Sequence, residues 1–546
     1  MINSNFFFIS ILLFLGALSG GGADTLQYWE WTKYFQNFEI NSFNNLGKST
    51  NGLPLSSWYY GSGIIPALIN KILLIEGEIA KKINSLLLTF INLFLLRNIL
   101  IEKKIYGLNN LALICLFLIF FPGGYYVNKL SSEAWTVFFT LASLYFIEKK
   151  TKKNLIFYSF NIGICIYFLL LIKPNNIFLC VSLILIFYIK KMNNFNLKNL
   201  FSKKFLNIQI LTFFLILGIC LILIYQKILL GNYFESFYSF GDENVKSFNL
   251  KNFKAFEVLF SSWHGLIFYH PLYLILNFYL FFLLFKKDID SNLKKLITIN
   301  LLVFLLQILI QSSWAFWWMG TGTYGARAFA GTSVITLYSL ISIQKIKILP
   351  NKLFLMLFII LLTWNSFLIY FGETNFISYE SFFEKIFRNH SIILIIKLLL
   401  ISVFLYIIIK IYNKNNLIFL NYILISTSIF LFLSNIYSAY NLKKIIYLII
   451  AVFFLYLFYF FFNIKNYFFK KKFLSIPFLI ILFFSLNAQF QLLNDFNNHK
   501  TENYKTGVNF NCMELKGTLE EYDKYKKFDE EKAHWKKFYV KNCMIK

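Results

Sequence analysis

Carboxylate and basic side chains occupy the polar segments between long apolar runs of this 546-residue chain. Asp24 follows the first apolar run, Phe6 to Ser19, and stands just before the aromatic residues Tyr28 and Trp29. A carboxylate in a low-dielectric, aromatic-lined position can act as a general base toward a hydroxyl. Because Asp is also a preferred helix N-cap, a purely structural role for Asp24 stays open.

Three later segments each carry a charged residue that could take part in chemistry, and two of these charges suit an anion. Glu133 follows two serines and is expected in the first turn of a helix, where the helix dipole alone would also stabilise it. Lys173 interrupts two apolar runs, and a phosphate would explain a cation there. The guanidinium of Arg327 suits a phosphate diester or pyrophosphate, with snorkelling toward lipid headgroups as its alternative role.

The composition indicates which elements must position these side chains. Hydrophobic residues make up 58% of the chain and charged residues only 14%, which is typical of an integral membrane protein. Apolar runs long enough to cross the bilayer recur about 13 to 15 times. These runs are continuous rather than alternating, so we expect an all-α, polytopic transmembrane helix bundle and not a barrel.

The net charge of +27 comes mostly from lysines in short loops between the apolar runs. This distribution follows the positive-inside rule, so it indicates orientation in the membrane and not nucleic-acid binding. The lysine-rich loops are placed in the cytoplasm, at 102–104, 148–153, 190–204, 286–295, 344–352, 410–414 and 465–472. The candidate site residues then lie on the extracytoplasmic side.

Two apolar segments near the start need a separate interpretation. The first run resembles a secretory signal but lacks a basic leading region, which favours an uncleaved anchor over a cleaved signal. Trp58 to Leu74 contains Gly61, Gly63, Pro66 and Lys71. If it crossed the membrane, most lysine clusters would move outside, so we expect a helix that lies in the outer interface.

Loop lengths and composition divide the chain into three regions. Residues 1–390 are predicted to form the catalytic transmembrane region, with a first outer loop at about 20–82. Residues 391–490 are predicted to be additional structural spans, and 491–546 a polar extracytoplasmic tail. Four cysteines lie in apolar runs, whereas Cys512 and Cys543 lie in the tail, either as a disulfide or as two free thiols. No zinc, P-loop or dinucleotide motif is present, and no metal ligands are assigned.

Several short segments, in their order along the chain, resemble the GT-C superfamily of polytopic membrane glycosyltransferases, which includes protein O-mannosyltransferases and aminoarabinose transferases. The resemblance covers roughly residues 1 to 375. Its segments are Asp24 with Tyr28, Trp58 to Gly63, Ser132 to Ala134, Leu171 to Asn175, His264 to Pro271 and Trp317 to Arg327. The chain departs from the family pattern at Lys173, where Arg is common, and at Thr25, where many members have a second acid.

The resemblance implies a GT-C fold in the bacterial inner membrane, with interfacial helices in the first outer loop and an active site that faces outward. It implies a polyprenyl-phosphate sugar as donor, a glycan, lipid or protein as acceptor, Asp24 as catalytic base and usually inversion of configuration. Its implied substrate-binding residues are Glu30, Tyr59, Tyr60, Glu133, Lys173, His264, Tyr324 and Arg327. No cofactor is assigned, and a divalent metal is left open.

Two other function classes compete with a glycosyltransferase. A flippase or transporter of lipid-linked glycans should depend on charges near the bilayer midplane, which are few here. A polysaccharide polymerase or ligase should depend on a large outer loop late in the chain. Only a glycosyltransferase of this type would specifically require Asp24 for its activity.

Overall fold

The structure of the protein, a computed structural model, is helical throughout its described regular elements, as the sequence predicts. It describes residues 23–38, 59–127, 130–149, 155–191, 206–230, 233, 253–262, 264–313, 325–343, 360–362, 364–365, 368 and 475–498. The helices are α1 Ala23–Asn37, α2 Gly61–Leu73, α3 Gly77–Glu102, α4 Gly107–Phe120, α5 Pro122–Tyr126, α6 Ser132–Glu148, α7 Leu155–Ile172, α8 Ile177–Lys191, α9 Leu206–Leu230, α10 Ala255–Phe260, α11 Leu266–Tyr269, α12 Pro271–Leu284, α13 Ser291–Ser313, α14 Ala330–Ser342 and α15 Ser475–Asn498. Two short 3-10 turns, Pro174–Asn176 and Arg327–Phe329, precede α8 and α14.

Five helices in the described ranges are long and apolar enough to cross a membrane. They are α3, α7, α8 with its preceding turn, α9 and α13. This confirms the prediction of a helical membrane protein. The total of about 13 to 15 spans stays a prediction, because the first apolar run, most of 344–474 and the tail with Cys512 and Cys543 lie outside the described residues.

Helix α6 lies at the centre of the described bundle. Every residue from Ser132 to Ile147 is buried, and α3, α7, α8 and α14 pack around the helix. Its 17 residues span about 25 Å, so its two ends lie at opposite ends of the described bundle. Because α6 is enclosed on all sides, a charge at either of its ends must be met by other parts of the protein.

Helices α1 and α2, from the predicted first outer loop, pack against the C-terminal end of α7 through two glycines of α2. A Cβ on Gly61 would lie 2.6 Å from the Leu171 carbonyl oxygen, and one on Gly63 would lie 2.6 Å from Cβ of Trp31 in α1. These close approaches join α1, α2 and α7. Helix α2 has 13 residues and is about 20 Å long, too short to cross about 30 Å of hydrocarbon. Its length favours the predicted non-spanning arrangement, whereas its depth in the membrane stays a prediction.

Helix α15, from the late part of the chain, packs against α2, α7 and α9. The hydroxyl groups of Tyr167 and Ser485 are hydrogen-bonded at 2.9 Å, and the rings of Phe146 and Phe478 meet edge to face at 5.4 Å. This C-terminal helix therefore shares the core of the early helices. The predicted boundaries near 390 and 490 remain predictions, because no described element marks them.

Replacement of Gly61 by Ala should separate α2 from α7, because the added methyl group meets backbone that cannot move aside. We expect a loss of about 1–3 kcal/mol in stability, measured as a lower melting temperature of the purified protein in detergent. Ile72→Ala on the same helix is the matched control, because Ile72 is 65% exposed. Equal melting temperatures for Gly61→Ala and the wild type would contradict this packing.

Candidate functional site

The candidate site is built around the carboxylate of Glu133 at the start of α6. The Ser131 hydroxyl accepts a hydrogen bond from the Ala134 amide and caps the helix, so Glu133 falls in the first turn as predicted. Glu133 is only 2% exposed. A carboxylate buried this deeply is costly unless cations or hydrogen bonds compensate it.

Lys173 supplies the first compensating charge. Pro174 cannot continue α7, and the chain therefore leaves the helix at Lys173 in an extended conformation. The side-chain amide of Asn176 donates to the Leu169 carbonyl at 2.8 Å and holds this break in place. The Lys173 ammonium forms an ion pair and hydrogen bond with Oε1 of Glu133.

Arg327, from a distant part of the sequence, approaches the same carboxylate oxygen. It begins the turn before α14, its side chain is 10% exposed, and its Nε lies 3.8 Å from Oε1 of Glu133. Close packing positions this turn, because the Gly123 amide donates to the Ser333 hydroxyl at 3.0 Å. Three chain segments thus bring two cations to one buried carboxylate.

Two buried histidines lie next to the Arg327 turn. A Cβ on Gly325 would lie 2.7 Å from Nε2 of His270, so the glycine allows the chain to pass directly over this ring. Gly325 is buried and adopts a φ of +59°, a conformation that favours glycine. His264 has a φ of +71°, unusual for a residue with a side chain.

Burial keeps both imidazoles neutral at physiological pH. It lowers the pKa of His264 to about 3, with the positive charge of Arg327 acting in the same direction and the Gly325 backbone offsetting part of the change. Burial also lowers the pKa of His270 to about 3, partly offset by the backbone of Phe120. The two histidines therefore add polar ring nitrogens to this region without adding charge.

Helix α1 reaches the start of α6 through Tyr28. Its hydroxyl donates to the Ser132 hydroxyl at 2.7 Å, next to Glu133 in the sequence. Asp24 lies in α1 four residues earlier, about 6 Å along the helix axis and on the same face. The side chain of Asp24 lies outside the described residues, so its predicted catalytic role stays a prediction.

The other predicted residues lie in separate surroundings. Glu30 forms an ion pair with Lys33 at 2.8 Å within α1, and no described contact joins it to Glu133. The Tyr59 hydroxyl accepts a hydrogen bond from the Gln226 amide at 3.0 Å. Tyr60 is fully buried, with its ring 4.6 Å from that of Tyr225. Tyr324 lies outside the described residues.

This arrangement is suited chemically to an anion at the start of α6. Two cations face one described carboxylate, which leaves an excess of one positive charge before any contribution from Asp24. Guanidinium and ammonium groups in a low-dielectric site bind phosphate oxygens strongly. Among the side chains that the structure describes, no group of three or more His, Cys, Asp or Glu residues could hold a metal ion.

No model of a known protein family matches this chain, and no curated protein sequence matches it. The motif resemblance to the GT-C superfamily is therefore a reason for a functional proposal and not an assignment.

The sequence indicated Glu133, Lys173 and Arg327 individually but missed two features of their surroundings. The resemblance implies that Glu133 binds substrate, whereas its described ion pairs are with Lys173 and Arg327. The sequence does not indicate His270 as a site residue, because its burial against Gly325 depends on packing between distant segments. The local sequence signal for this position is the dipeptide of His270 and Pro271 at the start of an apolar run.

Glu133→Gln should destabilise the protein by about 3–5 kcal/mol, because the buried Arg327 and the part-buried Lys173 would lose their common counter-charge. The measurement is the melting temperature in detergent. Glu78→Gln is the matched control, since Glu78 pairs with Lys81 at 2.6 Å but its side chain is 69% exposed, and its loss should cost under about 1 kcal/mol. Similar melting temperatures for both variants would show that Glu133 does not hold this cluster together.

Acidification should destabilise the folded protein through the buried histidines. The folded pKa of His264 lies below the unfolded value of about 6.5, so stability is present above pH 6.5 and falls as the pH drops from there toward 3. We expect a lower melting temperature at pH 5 than at pH 7.5. His264→Asn, which tolerates the positive φ, should make this dependence shallower, whereas an unchanged pH dependence would exclude His264 as its source.

Proposed function

We propose that the protein is a membrane glycosyltransferase of GT-C type. It would move a sugar from a polyprenyl-phosphate donor to an acceptor hydroxyl at the extracytoplasmic face. The observation that carries this proposal is the meeting of Glu133, Lys173 and Arg327 at one end of the buried helix α6. These residues come from three of the segments on which the family resemblance depends.

In the proposed reaction, Lys173 and Arg327 bind the donor phosphate and Asp24 takes the proton of the acceptor hydroxyl. The acceptor oxygen forms a bond to the anomeric carbon while the bond from that carbon to the phosphate oxygen breaks. The bonding electron pair leaves with the lipid phosphate. Fixed cations stabilise the charge that develops on this oxygen, which can contribute several kcal/mol in a site without water.

Glu133 has a positioning role in this proposal. It holds the two cations at a common point, and it keeps them from repelling each other when no donor is bound. Tyr28 connects α1 to the same helix end, which supports a position for Asp24 on the side of the site that α1 covers. The acceptor would then approach along α1 and the donor phosphate from the Lys173 and Arg327 side.

The position of the buried carboxylates favours an enzyme over a transporter. Glu133 and Glu148 lie at the two ends of α6, whereas the coupling sites of secondary transporters lie near the membrane midplane. The buried network near the middle of α12, α13 and α14 contains the neutral residues Asn277, Asn300 and Thr336, joined by hydrogen bonds of 2.9–3.3 Å. Such a network can join helices without carrying charge.

The test is transfer of radiolabel from a panel of polyprenyl-phosphate sugars to an extractable acceptor, in membranes that contain equal amounts of each protein. Asp24→Asn should reduce transfer by about 10²–10⁴-fold through loss of the base. Arg327→Ala should reduce it by about 10²–10³-fold, and Arg327→Lys by less, because the charge remains. Glu78→Gln should transfer like the wild type.

Different outcomes of this experiment test different parts of the proposal. Undiminished transfer by both Asp24→Asn and Arg327→Ala would refute the site while leaving the activity. The absence of transfer by the wild type with every donor would refute the glycosyltransferase function itself.

A further inference from the structure

The opposite end of α6 carries a second buried charge cluster that the proposed reaction does not use. Glu148 is the last residue of α6, and its side chain is 10% exposed. Its carboxylate Oε1 lies 2.9 Å from the Lys103 ammonium and 3.7 Å from the Lys190 ammonium, and it accepts a hydrogen bond from the Tyr338 hydroxyl. Both ammonium groups also lie over the Tyr338 ring.

A second pair extends this cluster along the same end of the bundle. The Lys149 ammonium lies 2.7 Å from Oε1 of Glu102, and the Lys191 ammonium donates to the Lys149 carbonyl at 2.6 Å. Lys104 follows the end of α3 and is exposed. We call this set the basic end cluster, and its members are Glu102, Lys103, Lys104, Glu148, Lys149, Lys190 and Lys191.

The basic end cluster has more positive charge than its carboxylates balance. Its seven residues are five lysines and two glutamates, an excess of three positive charges, with Lys104 included because it adjoins Lys103 in the sequence. Burial lowers the pKa of Lys103 to about 8; Glu148 offsets part of this change, whereas Lys190 adds to it. Like charges are therefore held close together at a partly buried point, and a further anion there would relieve their repulsion.

The orientation of the protein in the membrane would explain why lysines lie at this end of the bundle. It does not explain why their ammonium groups approach one another. The positive-inside rule and the helix dipole both favour lysines after a helix. Neither effect requires that Lys103 and Lys190, from helices α3 and α8, approach one carboxylate oxygen. A compact group of ammonium groups at the ends of several spans is the arrangement that recognises a lipid headgroup phosphate.

The position of the cluster indicates which anion it meets. Lys103 directly follows α3, and Lys190 and Lys191 end α8, two helices that are apolar enough to cross a membrane. The ammonium groups thus lie where hydrocarbon gives way to headgroups. The abundant anions at that depth are phospholipid phosphates, and an anionic phospholipid carries no cationic group that competes with the lysines.

We propose that the basic end cluster binds the headgroup phosphate of an anionic phospholipid between the ends of α3, α6 and α8. The exposed or half-buried ammonium groups of Lys104, Lys149 and Lys191 would contact the phosphate oxygens. Glu102 and Glu148 would keep the lysines together in the absence of lipid. This site is independent of the proposed glycosyltransferase reaction, because it lies at the other end of α6.

The experiment measures lipid binding to the detergent-solubilised full-length protein by native mass spectrometry, with its melting temperature recorded in parallel. Dioleoyl-phosphatidylglycerol is the probe and dioleoyl-phosphatidylcholine the neutral comparison. We expect phosphatidylglycerol to bind and to raise the melting temperature, and phosphatidylcholine to do neither. The double variant Lys104→Gln with Lys191→Gln should bind phosphatidylglycerol about tenfold more weakly.

Lys286→Gln with Lys287→Gln is the matched control. It removes two exposed lysines after α12, in another lysine-rich loop, where the described residues show no two ammonium groups that meet at one carboxylate. It should bind phosphatidylglycerol like the wild type. The single variant Lys104→Gln, at an exposed position, provides a milder test that does not depend on correct folding of the double variant.

Three results would overturn the proposal. One is equal binding of phosphatidylglycerol by the Lys104/Lys191 and Lys286/Lys287 variants. Another is equal stabilisation of the wild type by phosphatidylcholine. The third is equal stabilisation by free glycerol phosphate, which would identify a soluble anion instead of a membrane lipid as the ligand.

Discussion

The enclosure of α6 is the constraint on which the rest of the described structure depends. A helix that is buried along its whole length cannot place charged ends in water or lipid headgroups by itself. Its first carboxylate is met by Lys173 and Arg327, and its last by Lys103 and Lys190. The surrounding helices are therefore held at both levels of the membrane by ion pairs to one central element.

Close backbone packing makes these ion pairs geometrically possible. Gly123 lets α5 lie against the start of α14, and Gly331 lets α14 lie against α6 and α8. Within a membrane, association of helices depends on such close packing because lipid provides no hydrophobic drive between them. The short turn before α14 then positions Arg327 at the carboxylate. The small residues thus allow the close approach of helices that the buried ion pairs require.

The sequence predicts local features of this structure well. The apolar runs predict helices, the two serines before Glu133 predict a helix start, and Lys173 with Pro174 marks the break between two apolar runs. It does not predict that Lys173 and Arg327 share one oxygen of Glu133, because their partners are set by packing between distant segments. For the same reason, the sequence indicates only the orientation of the protein in the membrane for the lysines near Glu148, and not their contacts with this carboxylate. Local patterns identify which residues are unusual, whereas the fold determines what they meet.

The hydrogen bond between Tyr167 and Ser485 has a consequence for the order in which the protein is assembled. These partners are separated by 318 positions. At about 5–20 residues per second, the ribosome needs roughly 15–65 seconds to synthesise that interval. For most of this time α2, α7 and α9 are complete, but α15, which packs against them, is not yet synthesised. The contacts of α15 with the early helices can therefore form only late in synthesis, so this part of the core is completed as a late event.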